Sequence, residues 1–85
     1  MKEFKYIITD PEGIHARPAG QLVAEAKKFS SKIELKKDEK IGDLKKIFSV
    51  MGLGVKNGQE ITVTFSGDDE EQAYETISQF MQDNL

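Results

Sequence analysis

Hydrophobic and polar positions change period several times along the chain, and each change marks an element. Phe4-Lys5-Tyr6-Ile7-Ile8-Thr9 is rich in aromatic and β-branched residues and reads as a first strand. Asp10-Pro11-Glu12-Gly13 closes it as a loop. From about Pro18 the period becomes helical: Ala19, Leu22, Val23, Ala26 and Phe29 fall on one stripe, with Lys27 and Lys28 near its end, where cations complement the helix dipole. Ile33 and Leu35 alternate with lysines and Glu34 as a short half-buried strand. Lys37-Asp38-Glu39 is a polar turn, and Ile41 begins a weak third strand. Ile47 to Met51 forms a short helix closed by Gly52-Leu53-Gly54. After the Asn57-Gly58 turn, Ile61, Val63 and Phe65 alternate with polar neighbours between Glu60 and Ser66. A last helix opens at Asp68-x-x-Glu71, an Asp-headed capping box, and carries Ala73, Ile77, Phe80 and Met81 on one face. The order βαββαβα predicts an α+β fold, with three helices on one face of a four-stranded antiparallel sheet whose other face is open.

The chain's 85 residues are enough for a single domain, 1–85. A core this small leaves no room for a large enclosed active site, so any chemistry is expected at the surface and with a macromolecular partner. The absence of cysteine excludes a disulfide framework, a thiolate metal site and a cysteine nucleophile. A single histidine argues against a zinc site, and no metal or organic cofactor is expected. A net charge of -3 disfavours nucleic-acid binding. Lysines dominate Lys27 to Lys46 and acids dominate Asp68 to Glu75, most simply as solvated faces. No signal-peptide core or membrane-spanning apolar run is evident, so a cytoplasmic, monomeric protein without membrane insertion is expected.

The only histidine and the only arginine stand two residues apart in Gly13-Ile14-His15-Ala16-Arg17-Pro18-Ala19, where loop becomes helix. First-turn N–H groups lack intrahelical partners and the dipole makes such a terminus electropositive, so it suits an anion. Pro18 removes a donor that the helix would not use, leaving the Ala16 and Arg17 amides free. Gly13 allows a tight approach of the loop. The Arg17 guanidinium matches phosphate oxygens, and an imidazole here can attack phosphorus. The same residues would equally serve as a helix cap and an ordinary exposed side chain.

Resemblance separates the two. The segment from Gly13 to Ala19 is similar to the active-site signature of the HPr family, the histidine phosphocarriers of the bacterial sugar phosphotransferase system. Leu44-Lys45-Lys46-Ile47-Phe48-Ser49-Val50-Met51-Gly52-Leu53-Gly54 resembles the family's second, regulatory signature, and length and element order agree over nearly the whole chain. The resemblance implies an HPr-like open-faced sandwich and phosphorylation of His15 on Nδ1 by the phosphohistidine of enzyme I. It further implies donation to a histidine of sugar-specific enzyme IIA domains, with Ala16 and Arg17 contacting the phosphoryl group. Such a chain is a relay and not a turnover enzyme.

The family's regulatory serine is replaced here by Lys46, which has no hydroxyl and carries the charge opposite to phosphoserine. Ile47, Phe48, Val50, Met51 and Leu53 exceed what one short helix buries on a single stripe. Val50 and Leu53 are expected inward, with Ile47, Phe48 and Met51 forming a partner-docking patch. Two other readings compete. One is a regulatory HPr-like binding protein that carries no sugar-linked flux. The other is a single-stranded RNA reader, which would need aromatics displayed on the sheet within a basic surface.

Overall fold

The computed structural model describes residues 1–85, arranged as β1 (Lys2–Ile7), α1 (Ala16–Ala26), β2 (Lys32–Lys37), β3 (Lys40–Asp43), α2 (Ile47–Met51), β4 (Glu60–Ser66) and α3 (Glu70–Asn84). The strands form one antiparallel sheet in the order β1-β4-β2-β3. Because side chains alternate across a strand, the register sorts them cleanly. Phe4 and Tyr6 lie opposite Val63 and Ile61, while Ile33 and Leu35 lie opposite Phe65 and Val63. These residues face the helices. The other face carries Glu3, Lys5, Glu34, Lys36, Thr62 and Thr64 in facing rows. Phe65 is fully buried, and Phe4 stacks edge-on against Tyr74 of α3. The open face therefore has no aromatic platform on which a nucleobase could stack, which removes the basis of the RNA-reader alternative.

All three helices lie over the apolar face, and their stripes close the core: Ala19, Leu22, Val23 and Ala26 from α1, Val50 from α2, and Ala73, Ile77 and Met81 from α3. Phe80 is only half-buried, packed at the edge of this core.

Several boundaries differ from the pattern. β1 ends at Ile7 and not Thr9, because the Thr9 amide leaves the sheet to donate to the Leu85 carbonyl. α1 starts at Ala16, ahead of Pro18, since a proline at the third helical position removes no intrahelical bond. It ends at Ala26, so Phe29 packs from the following turn, its carbonyl accepting a hydrogen bond from Lys45 Nζ at 2.7 Å. α3 starts at Glu70, two residues later than Asp68, and the expected Asp68–Glu71 box does not form. Glu70 Oε1 instead accepts from the Gly67 amide at 3.1 Å. The N-cap residue Asp69 turns its carboxylate away from its own helix to the α1–β2 loop, accepting from the Ser30 and Ser31 amides, each at 2.9 Å, and from the Ser31 hydroxyl.

Candidate functional site

The loop from Thr9 to Ile14 is held by its backbone. The Thr9 and Asp10 amides and the Thr9 hydroxyl all donate to the Leu85 carbonyl, and Asn57 Nδ2 donates to the Thr9 carbonyl at 3.0 Å. The Gly13 amide returns to the Asp10 carbonyl at 2.9 Å, and the Ile14 amide bonds to Val55 O at 3.1 Å. Gly13 adopts φ +69, and a Cβ there would lie 2.3 Å from Val55 O. Ile14 is buried immediately afterwards, so the next residue is delivered to the surface in a fixed direction.

That residue is His15, the N-cap of α1, extended at φ -94 and ψ -179, with its carbonyl accepting from Ala19 N at 3.0 Å. Its ring makes no capping hydrogen bond and is 36% exposed. The imidazole is thus presented to solvent rather than spent on the helix end, contrary to the simple cap reading. The amides of Ala16 and Arg17 have no backbone partner, and the first turn holds no acidic residue. Arg17 is exposed and forms no ion pair. Two free N–H groups, the positive end of a helix and an unneutralised guanidinium thus surround one imidazole, the set of donors that a phosphoryl group uses.

Four further residues complete the surroundings and were not singled out from the sequence. A shallow depression is lined by Asp10, His15, Arg17, Pro18, Gln21 and Asn84. Asp10 Oδ2 lies 3.5 Å from His15 Nε2, and Glu12 Oε2 lies 3.4 Å from Nδ1. The available signal was the Asp-Pro-x-Gly spacing, an Asx turn that folds the Asp side chain back over the next residues. Asp10 and Glu12 face opposite ring nitrogens and so do not converge on a common point as metal ligands would.

α2 packs against α1. Ile47 is half-buried, reaching α1 beside Gly20. Phe48 is 87% exposed and Met51 is 38% exposed, while Val50 and Leu53 are buried. Lys46 is the exposed N-cap of α2 and makes no side-chain cap. The hydroxyl of Ser49 is occupied, accepting from the Asp43 amide at 2.9 Å and so joining β3 to α2.

The fold and this constellation define a class: a small surface-acting carrier of phosphoryl groups on histidine. The family model described as PTS HPr component phosphorylation site matches residues 2–83. The phosphocarrier protein HPr of Lysinibacillus sphaericus is 49% identical over 92% of this chain and 89% of its own length. That of Mycoplasma capricolum is 49% identical over 98% of this chain and 93% of its own. A solved Mycoplasma histidine-containing phosphocarrier protein superposes with a TM-score of 0.94 at 49% identity, covering 96% of this chain and 93% of that one. The chain belongs to the HPr family of the phosphotransferase system, whose members carry phosphoryl groups and do not turn over a substrate by themselves. No helix is long and apolar enough to cross a membrane.

Proposed function

We propose that this chain accepts a phosphoryl group on His15 Nδ1 from phosphorylated enzyme I and passes it to enzyme IIA domains in sugar uptake, as a cytoplasmic monomer. The observation that carries this reading is the imidazole at the α1 N-terminus beside two unpartnered amides and the unpaired Arg17 guanidinium. The Nδ1 lone pair attacks phosphorus in line, while the bond from phosphorus to the donor imidazole breaks and its electron pair stays on the donor. Charge spread over the three equatorial oxygens is met by the Ala16 and Arg17 amides and by the guanidinium. The reverse geometry serves onward donation. Ile47, Phe48 and Met51, on the helix that packs against α1, supply the apolar contact with each partner in turn.

Incubation with enzyme I and phosphoenolpyruvate tests the reading. Acid-labile label should appear on the chain and discharge to enzyme IIA, and His15→Ala should abolish it without loss of cooperative unfolding. Label retained in His15→Ala would refute the site. Label that forms but never discharges would favour the regulatory alternative.

A further inference from the structure

We infer that Asp10 is a positioning residue for phosphoryl transfer, acting as the acceptor for the His15 Nε2 proton and so holding the ring in the tautomer that leaves Nδ1 free to attack. The inference rests on the reading of His15 as the phosphoryl acceptor.

A neutral imidazole has one N–H and one lone pair, and the partner of one nitrogen decides which nitrogen keeps the proton. Here two carboxylates compete for that single proton from opposite sides, Asp10 at Nε2 and Glu12 at Nδ1. They are held very differently. Asp10 is fixed at every polar backbone atom and at one carboxylate oxygen: its amide donates to Leu85 O at 2.9 Å, its carbonyl accepts from Gly13 at 2.9 Å, and its Oδ1 accepts from the Glu12 amide at 2.8 Å. With Oδ1 occupied, Oδ2 is the oxygen turned to the ring, and the Asp10 side chain is only 21% exposed. The Glu12 side chain is 74% exposed and makes no hydrogen bond of its own, so it can swing into solvent as a donor approaches. Arg17, which lines the same depression, is the remaining charged group at the site. It can offer Nε2 only further donors, so Asp10 is the built-in acceptor.

The separation of 3.5 Å is longer than a formed hydrogen bond, as catalytic contacts often are before the reacting complex assembles. As the Nδ1 lone pair forms the bond to phosphorus and the donor nitrogen departs with its electron pair, the ring gains positive charge. The Nε2 proton stays on the ring, and the Oδ2 carboxylate stabilises that charge. On onward transfer the electron pair of the N–P bond returns to Nδ1 and the ring is neutral again, its proton still at Nε2.

The geometry sets up a comparison that separates this role from a structural one. Asp10→Asn keeps the turn, because the amide carbonyl can accept from Glu12 N–H, but it then turns an NH₂ toward Nε2. That donor favours a lone pair at Nε2 and a proton at Nδ1, the unreactive tautomer. Asp10→Ser removes the carboxylate while a hydroxyl can preserve the turn. Asn should therefore be the worse variant, slowing phosphorylation by enzyme I at least about tenfold through kcat with KM little changed. A residue needed only to shape the loop would give the opposite order, with the isosteric Asn milder than Ser, and that order would overturn the inference.

The tautomer can be read without any partner, from two-bond proton–nitrogen correlations of the single imidazole at alkaline pH. The wild-type chain should show a larger share of Nε2–H than the same chain unfolded in urea, and Asp10→Asn should lose that excess. A wild-type ring protonated mainly at Nδ1, or an unchanged tautomer in Asp10→Asn, would also overturn it. If instead the wild-type chain takes no label from enzyme I, the phosphocarrier reading fails while the tautomer result stands on its own.

Discussion

Gly13 lies so close to Val55 that the carbonyl oxygen of Val55 occupies the place of a side chain, and the Ile14 amide is bonded to that same oxygen. The two residues together fix where His15 emerges. A Cβ at Gly13 would stand 2.3 Å from this oxygen and 2.6 Å from Lys56 Cα, at a φ of +69 that side chains rarely adopt. Gly13→Ala should therefore destabilise the protein through two effects, backbone strain and overpacking, each worth about 1–3 kcal/mol. Denaturant unfolding measures the sum. Phosphorylation at His15 should slow further than the loss of folded protein explains, because the loop that aims the ring has moved.

Asp69 makes stability sensitive to strong acid. The Ser31 hydroxyl first, and then the Ser30 amide, hold its carboxyl down from 3.8 to about 2. A carboxyl lowered by folding contributes stability that is fully present above the unfolded value and lost as pH falls through the folded one. Unfolding followed from about pH 4 to about pH 2 should show this loss, and Asp69→Asn should flatten that part of the profile. Glu70, lowered by its bond to the Gly67 amide and by the chain's amino terminus, acts in the same direction. Glu70→Gln in parallel apportions the two.

Phe48 should separate stability from association. With its ring 87% exposed, Phe48→Ala should change folding stability by about 0.5 kcal/mol or less, whereas a buried Phe→Ala costs about 3–5 kcal/mol. Binding to enzyme I, followed by titration calorimetry, should weaken clearly. A loss of stability in the larger range would place the ring in the core and remove the docking patch.

Lys46 and Ser49 define the second region. Wild-type chain should resist an HPr-directed serine kinase, since Lys46 has no hydroxyl and the Ser49 hydroxyl is engaged with the Asp43 amide. Lys46→Ser should both create a substrate and stabilise α2 by about 0.5–1 kcal/mol, as serine caps a helix and lysine here does not. Peptide mapping after incubation with ATP, together with thermal unfolding, checks the pair. Label at Ser49 of the wild-type chain would contradict the structural role given to that hydroxyl.

The sequence determined by itself whatever depends on local period and on residue scarcity. β4 and α2 have the limits that alternation and composition predicted, because Ile61, Val63 and Phe65 fit only one face of a strand and Ile47 to Met51 are bracketed by polar and glycine residues. One histidine and one arginine at a loop–helix junction, with proline behind them, mark the site within the sequence itself. The tertiary structure alone decided which groups compete for the same partners. Asp69 could have capped its own helix, but the Ser30 and Ser31 amides and the Ser31 hydroxyl offered three donors at once, and α3 is left without a side-chain cap. Thr9 could have continued β1, but the end of α3 places the Leu85 carbonyl within its reach. Asp10 and Glu12 read only as turn residues until that anchored loop set them on opposite sides of the His15 ring. Such choices rest on distances between segments far apart in the chain, which no local pattern encodes.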